Sequence, residues 1–162
     1  MATVDYYLKI DGIEGESQDS MHKGEIEIDS FSWGQTQSGT AGYGAGDGAG
    51  KVVMHDIQFT MMANKSSPKV ALACASGEHI KQAVLVCRKA GKQQQEFLKY
   101  TFSDLLVSSF QTGGSRHSDV VPVDQFSFNF AKIECEYKEQ KADGTLGGTI
   151  PMRWDVKQHK SF

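Results

Sequence analysis

Ser115 and His117 stand close together in Gly113-Gly114-Ser115-Arg116-His117, and a hydroxyl beside an imidazole is where nucleophilic catalysis begins. The surrounding residues are a Gly-rich turn, not a GxSxG strand-to-helix elbow, and no acid partner or oxyanion donor is identifiable. A hydrolase reading therefore has little to stand on. The thiols Cys87 and Cys135 fall on strand phases shared with apolar neighbours, which makes buried, unreactive cysteines the expectation. Asp11, Glu14, Glu16 and Asp19 with His22 have metal-ligating side chains but not the fixed oxygen spacing of a calcium loop, so they read as a solvated turn. His55, His79, His117 and His159 are scattered, with no HExxH. Arg88, Lys89 and Lys92 read as a hydrated hairpin end. No catalytic, cofactor-binding or metal-ligating set is predicted, and the chain does not read as an enzyme.

The segment from Gly39 to Gly50 holds six glycines in twelve residues: Gly39, Gly42, Gly44, Gly46, Gly48 and Gly50, with Tyr43 and Asp47 between them. A phosphate cradle needs such glycines to lead into a helix. Here they lead into the strand-like run Val52 to Met61, Ala45 breaks the spacing, and Val52 takes the place of the Ser/Thr after Lys51. Two readings stay open: a flexible surface loop, or a long loop ordered by contact with another subunit.

The elements that must position these residues belong to one globular unit. Hydrophobic residues are 39% and charged residues 23% of 162, so a single domain over 1–162 is expected. The net charge of −3 lacks the basic surplus that nucleic acid or an anionic membrane calls for. Three cysteines without a CxxC pair suit a reducing compartment. The first residues resemble no conventional signal peptide, and the longest apolar run, Val70 to Ala75, falls far short of the ~20 residues of a membrane span.

Alternation of period two dominates. Tyr6, Leu8 and Ile10 share one face; Ile26 and Ile28 give way to Phe31 and Trp33 in the opposite phase, which predicts a bulge near Asp29-Ser30. That phase puts Ser30 and Ser32 on a solvated face. Val53, Ile57, Phe59 and Met61 mark a third strand, and Ala83 to Cys87 a strand buried on both faces. Glu96 to Gln111 predicts two segments with a bend at Ser103-Asp104. Phe126, Phe128 and Phe130 give way to Ile133, Cys135 and Tyr137. The last strand places Ile150, Met152, Trp154 and Val156 inward and Arg153, Asp155, Lys157 and His159 outward. One helix, about 67–76, is predicted with Ser67 as N-cap, Pro68 at the first position and Gly77 closing it. The fold class is mainly β, a compact barrel or sandwich of two sheets with one short helix.

An ordered set of short motifs carries a resemblance. Gly15-Glu16-Ser17, His22, Glu25-Ile26, Phe31-Ser32-Trp33-Gly34 and the Gly-rich stretch are followed by Ala73-Cys74-Ala75-Ser76-Gly77-Glu78-His79 and Arg88-Lys89-Ala90-Gly91. Leu106-Val107-Ser108-Ser109, Thr112-Gly113-Gly114-Ser115, Asn129-Phe130-Ala131, Gln140-Lys141-Ala142-Asp143-Gly144 and Trp154-Asp155-Val156 complete it. Together they resemble the haemolysin-coregulated protein (Hcp) family. The resemblance implies a β-barrel subunit of the type VI secretion inner tube, without a cofactor. Its partners would be its own copies in hexameric, stacking rings, a spike protein cap, a contractile sheath and small effector proteins in the lumen, with neither nucleic acid nor membrane among them. The subunit would be cytoplasmic before firing and secreted afterwards without a cleaved signal peptide. Within that frame Gly39 to Gly50 is expected to contact the next ring, with Tyr43 as anchor and Asp47 as acceptor. Ser30 and Ser32 face either the lumen or the plain outer surface. The alternative of another class is a free β-barrel that binds a small ligand in its mouth.

Overall fold

A computed structural model describes residues 4–37, 51–90 and 94–162. Ten strands and one helix follow in the order β1 (Val4–Ile10), β2 (Ile26–Ile28), β3 (Ser30–Ser32), β4 (Gln35–Gln37), β5 (Val52–Met54), β6 (Ile57–Met62), α1 (Ser67–Ser76), β7 (Ile80–Lys89), β8 (Glu96–Gly113), β9 (Val123–Gln140) and β10 (Leu146–Asp155). The main sheet runs β2-β1-β7-β8-β9-β6-β3, all pairs antiparallel, with β10 on the second half of β9; β4 and β5 form a separate two-stranded ladder. The sheet bends back on itself because β2 and β3 are two halves of one kinked strand. One half pairs with β1, the other with β6, and the Asp29 N–H between them donates to the Thr60 carbonyl at 2.9 Å. The phase change at Asp29-Ser30 is thus the corner that nearly closes the barrel.

The interior is filled. Leu8, Ile57, Phe59, Phe102, Phe126, Phe128 and Ile133 are fully buried in one contiguous core. Among the described residues the barrel interior is packed with aromatic and aliphatic side chains. The helix lies against the barrel through Val70 and Ala73. Its C-terminus is set by Gly77 in the left-handed region (φ 65°), followed by a Glu78 N–H bond to the Ala73 carbonyl at 3.1 Å. The N-cap is Ser66, one residue before the expected Ser67; the Ser67 hydroxyl donates instead to the buried Asp124 carboxylate at 2.5 Å, tying the helix start to β9.

Other expectations are corrected by packing. The stretch Glu96 to Gln111 is one strand through Gly113, bent at Asp104, whose φ is 52°. Val53 is exposed and Met54 packs on the core, because the break between β5 and β6 resets the phase. On β10, Ile150 is exposed and Asp155 buried, where it accepts the Gln158 N–H at 2.9 Å in a tight turn. Tyr7, on the face opposite Leu8, is also buried, since the segment after β1 folds back over it.

Candidate functional site

That segment is no solvated turn. His22 is buried, stacked on Tyr7 with ring centroids 4.5 Å apart, with Nδ1 3.0 Å from Glu25 and Nε2 2.7 Å from Glu96. Arg88 is no hydrated hairpin end either: it is 1% exposed. Its guanidinium donates to both oxygens of Asp19 (2.9 and 2.7 Å) and to the Tyr7 hydroxyl (2.9 Å), and its Cζ sits 4.8 Å from the centre of the Tyr7 ring. The forked pair holds the Asp19 carboxyl well below the usual carboxylate range and raises Arg88 above its own. Tyr7 is raised, first by burial. These groups hold one another, so the cluster is a clasp that pins residues 11–25 across β1, β7 and β8.

Ser115 and His117 are no closer to a catalytic pair. Between Ser115 and His117 the contact is a backbone N–H on the Ser115 hydroxyl at 3.3 Å, a turn rather than a nucleophile and its base. Burial pushes the Cys87 thiol up to about 12, and Cys135 is raised by the same cause. Among the described residues no group of three His, Cys, Asp or Glu is placed to hold a metal ion.

The feature that stands apart is a face. Six tripeptides place a phenylalanine between hydroxyl or amide side chains, and four of them come together: Ser30-Phe31-Ser32, Gln58-Phe59-Thr60, Ser109-Phe110-Gln111 and Gln125-Phe126-Ser127. The registers place them side by side on β3, β6, β9 and β8. Phe31, Phe59, Phe126 and Phe110 align in one row pointing into the barrel, with Phe59 and Phe126 stacked at 5.1 Å. On the outside lie two polar rows, Ser30–Thr60–Gln125–Gln111 and Ser32–Gln58–Ser127–Ser109. Ser30 bonds Thr60 at 2.5 Å; Ser127, buried, bonds Ser108 at 2.7 Å and Ser109 at 2.5 Å beside the bulge in β8. Ser30 and Ser32 are exposed opposite Phe31, as the alternation required, but they are two of eight positions in this face. Gly39, Gly42, Tyr43, Gly44, Gly46, Asp47, Gly48 and Gly50 lie outside the described residues.

The model of the family described as "Type VI secretion system effector, Hcp" matches residues 7–137. The chain belongs to the Hcp family. It is 43% identical over 158 residues to Protein hcp1 of Pseudomonas aeruginosa, covering 96% of this chain and 97% of that one. Among solved structures, Hcp1 from Salmonella typhimurium is similar with a TM-score of 0.81 and 35% identity, over 99% of this chain and 100% of that one. A type six secretion system protein is similar with a TM-score of 0.89 and 30% identity, over 98% and 99% of the two chains. The Hcp family is a structural family of the type VI secretion system and not a family of enzymes, which fits the mutual pairing in the clasp. No helix among the described residues is long and apolar enough to cross a membrane.

Proposed function

We propose that this Hcp chain is a structural subunit of the type VI inner tube: copies close into hexameric rings, rings stack, and the tube is expelled carrying small effector proteins in its lumen. The observation that carries the reading is family membership across almost the whole chain, joined to the uncharged outward face of β3, β6, β9 and β8. Open strand edges supply a physical motive for ring closure. Among the described residues β10 pairs along its length only with β9, its other side being met by Lys160 at Asp155 alone, and it shows Ile150 at 63% exposure; such an edge is hidden when a neighbouring copy covers it head to tail. The six-fold number comes from the family resemblance. In this reading Ser30 and Ser32 look into the lumen, the segment from Gly39 to Gly50 registers one ring on the next, and the spike protein and contractile sheath bind the ends and outside of the tube.

Micrographs of the purified protein test the reading directly: rings are expected, and featureless small particles at micromolar concentration, with a monomer mass in sedimentation, refute it. Deleting Gly42 to Gly48 should leave rings but weaken stacking and secretion; undiminished secretion would make that segment a spacer. Ser32→Gln should lower the amount of co-purified effector with rings intact. An unchanged amount removes Ser32 from the lumen.

A further inference from the structure

His22 is buried, and each of its ring nitrogens meets a carboxylate: Nδ1 lies 3.0 Å from Glu25 and Nε2 2.7 Å from Glu96. An ionised carboxylate accepts hydrogen bonds and donates none, and a neutral imidazole carries a single N–H. Both contacts are therefore hydrogen bonds only when the ring holds two protons. With one proton, one contact sets a carboxylate oxygen against a ring lone pair, two acceptors with no hydrogen between them.

The two carboxylates are not equally free to leave. Glu25 sits three residues along the chain, its N–H bonded to the His22 carbonyl at 3.1 Å and its side chain 16% exposed. Glu96 is the first residue of β8, 74 positions away, with 39% of its side chain open to water. Its bond to His22 is, among the described residues, the one hydrogen bond from residues 11–25 to β8.

The groups around the ring leave the switching to His22. Tyr7 of β1 stacks on it, and Arg88 of β7 is bound to Asp19, with Asp5 of β1 at 3.5 Å. Glu27 of β2 is the cross-strand partner of Tyr7, and Lys23, next in the chain, is exposed. The forked pair holds Asp19 well below the usual carboxylate range and raises Arg88, and burial raises Tyr7, so none of these three changes charge near neutral pH. An imidazole ordinarily does, between about pH 5 and about pH 8.

We propose that His22 is a proton-operated latch. With two ring protons it joins residues 11–25 to the start of β8. With one it keeps Glu25 and releases Glu96 to solvent, and the segment loosens there while the Arg88–Asp19 pair still holds it to β7. The latch belongs to the single subunit and does not rest on ring formation. On the tube reading, a subunit expelled into a mildly acid medium shuts a contact that is partly open near neutral pH.

Two measurements on the full chain test it. Nitrogen NMR of histidine-labelled protein should find two protons on the His22 ring at about pH 5.5 and one at about pH 8, the resonances being assigned by their loss in His22→Gln. Amide exchange, corrected for its intrinsic pH dependence, should show residues 11–25 and the start of β8 about tenfold less protected at the higher pH, with β6 unchanged. Glu96→Gln is the deciding variant. Its amide both donates and accepts, so it bonds Nε2 in either ring state, and protection should stay high at both pH values. Three outcomes overturn the proposal: a ring with the same proton count at both pH values, unchanged protection in the unsubstituted chain, or a Glu96→Gln variant that loosens at the higher pH as the unsubstituted chain does. Absence of rings in micrographs, by contrast, counts against the tube reading alone.

Discussion

Asp19 illustrates how one side chain ties stability to pH. Hydrogen bonds from the Arg88 guanidinium, then from the backbone N–H groups of Met21 and His22, hold its carboxyl well below the ordinary value. A carboxyl depressed in the folded state adds stability that is present above its unfolded pKa of about 4 and is lost as pH falls toward the folded one. Asp19→Asn is therefore expected to unfold at a lower temperature than the unsubstituted protein at pH about 6, with the gap narrowing below about pH 4, where Asp19 takes up a proton in the unfolded chain while the folded carboxyl still resists it. A gap that stays constant across that range would detach Asp19 from the clasp. The cysteines give a second residue-scale test. With the Cys87 thiol pushed up to about 12 by burial, a disulfide reagent at pH about 8 should label Cys74 and Cys135 in the folded protein and Cys87 only in denaturant. Rapid native labelling of Cys87 would contradict its burial. Alternation made Cys87 legible as buried, but Arg88 was not. Its partner Asp19 lies 69 residues away, and the lysine that follows gives it the look of a wet turn. The available signal was its phase: Arg88 follows Val84 and Val86 on a face already read as apolar.

At the scale of elements, the strand set and the helix were legible because alternation and caps are local, whereas boundaries set by long-range packing were not. The kink at Asp29 announced itself by a change of apolar phase. The exposure of Val53 and Ile150 and the burial of Asp155 depended on which neighbour each strand met. Six polar–Phe–polar tripeptides were present in the sequence, and only the strand order β3-β6-β9-β8 reveals that four of them form one face. The two sides of that face should respond very differently to truncation. Phe126→Ala empties a fully buried position between Phe59 and Phe128 and should cost about 3–5 kcal/mol in denaturant unfolding, while its neighbour Gln125→Ala should stay within about 0.5 kcal/mol. Equal losses would mean the outward row is structural after all. Gly15 makes a comparable demand on the segment pinned by the clasp. A Cβ there would sit 2.4 Å from the Glu25 carbonyl oxygen, a backbone atom with nowhere to go. Gly15→Ala should cost about 2–4 kcal/mol by the same measurement, and a neutral substitution would show that the segment can slide.

For the whole molecule the open question is what covers the free side of β10. An edge strand exposing Ile150 at 63%, with Pro151 beside it to blunt hydrogen bonding, suits covering by a specific neighbour more than indiscriminate pairing. In the tube reading that neighbour is the adjacent copy, and Ile150 goes from water into an apolar contact when the ring closes. A carboxylate at this position would cost the isolated subunit almost nothing, since exposed substitutions away from caps and networks stay within about 0.5 kcal/mol. Once per interface around the ring, however, it would have to be buried without a partner, and an uncompensated charge in a contact costs several times that amount. Ile150→Asp is therefore expected to unfold at the same temperature as the unsubstituted subunit when both are dilute, yet to sediment as monomer at concentrations where the unsubstituted protein forms rings. Ile150→Val, which keeps the apolar contact, should still close. Rings formed by Ile150→Asp to the same extent would place β10 on the outside of the tube and leave its edge to be covered by something other than a second subunit.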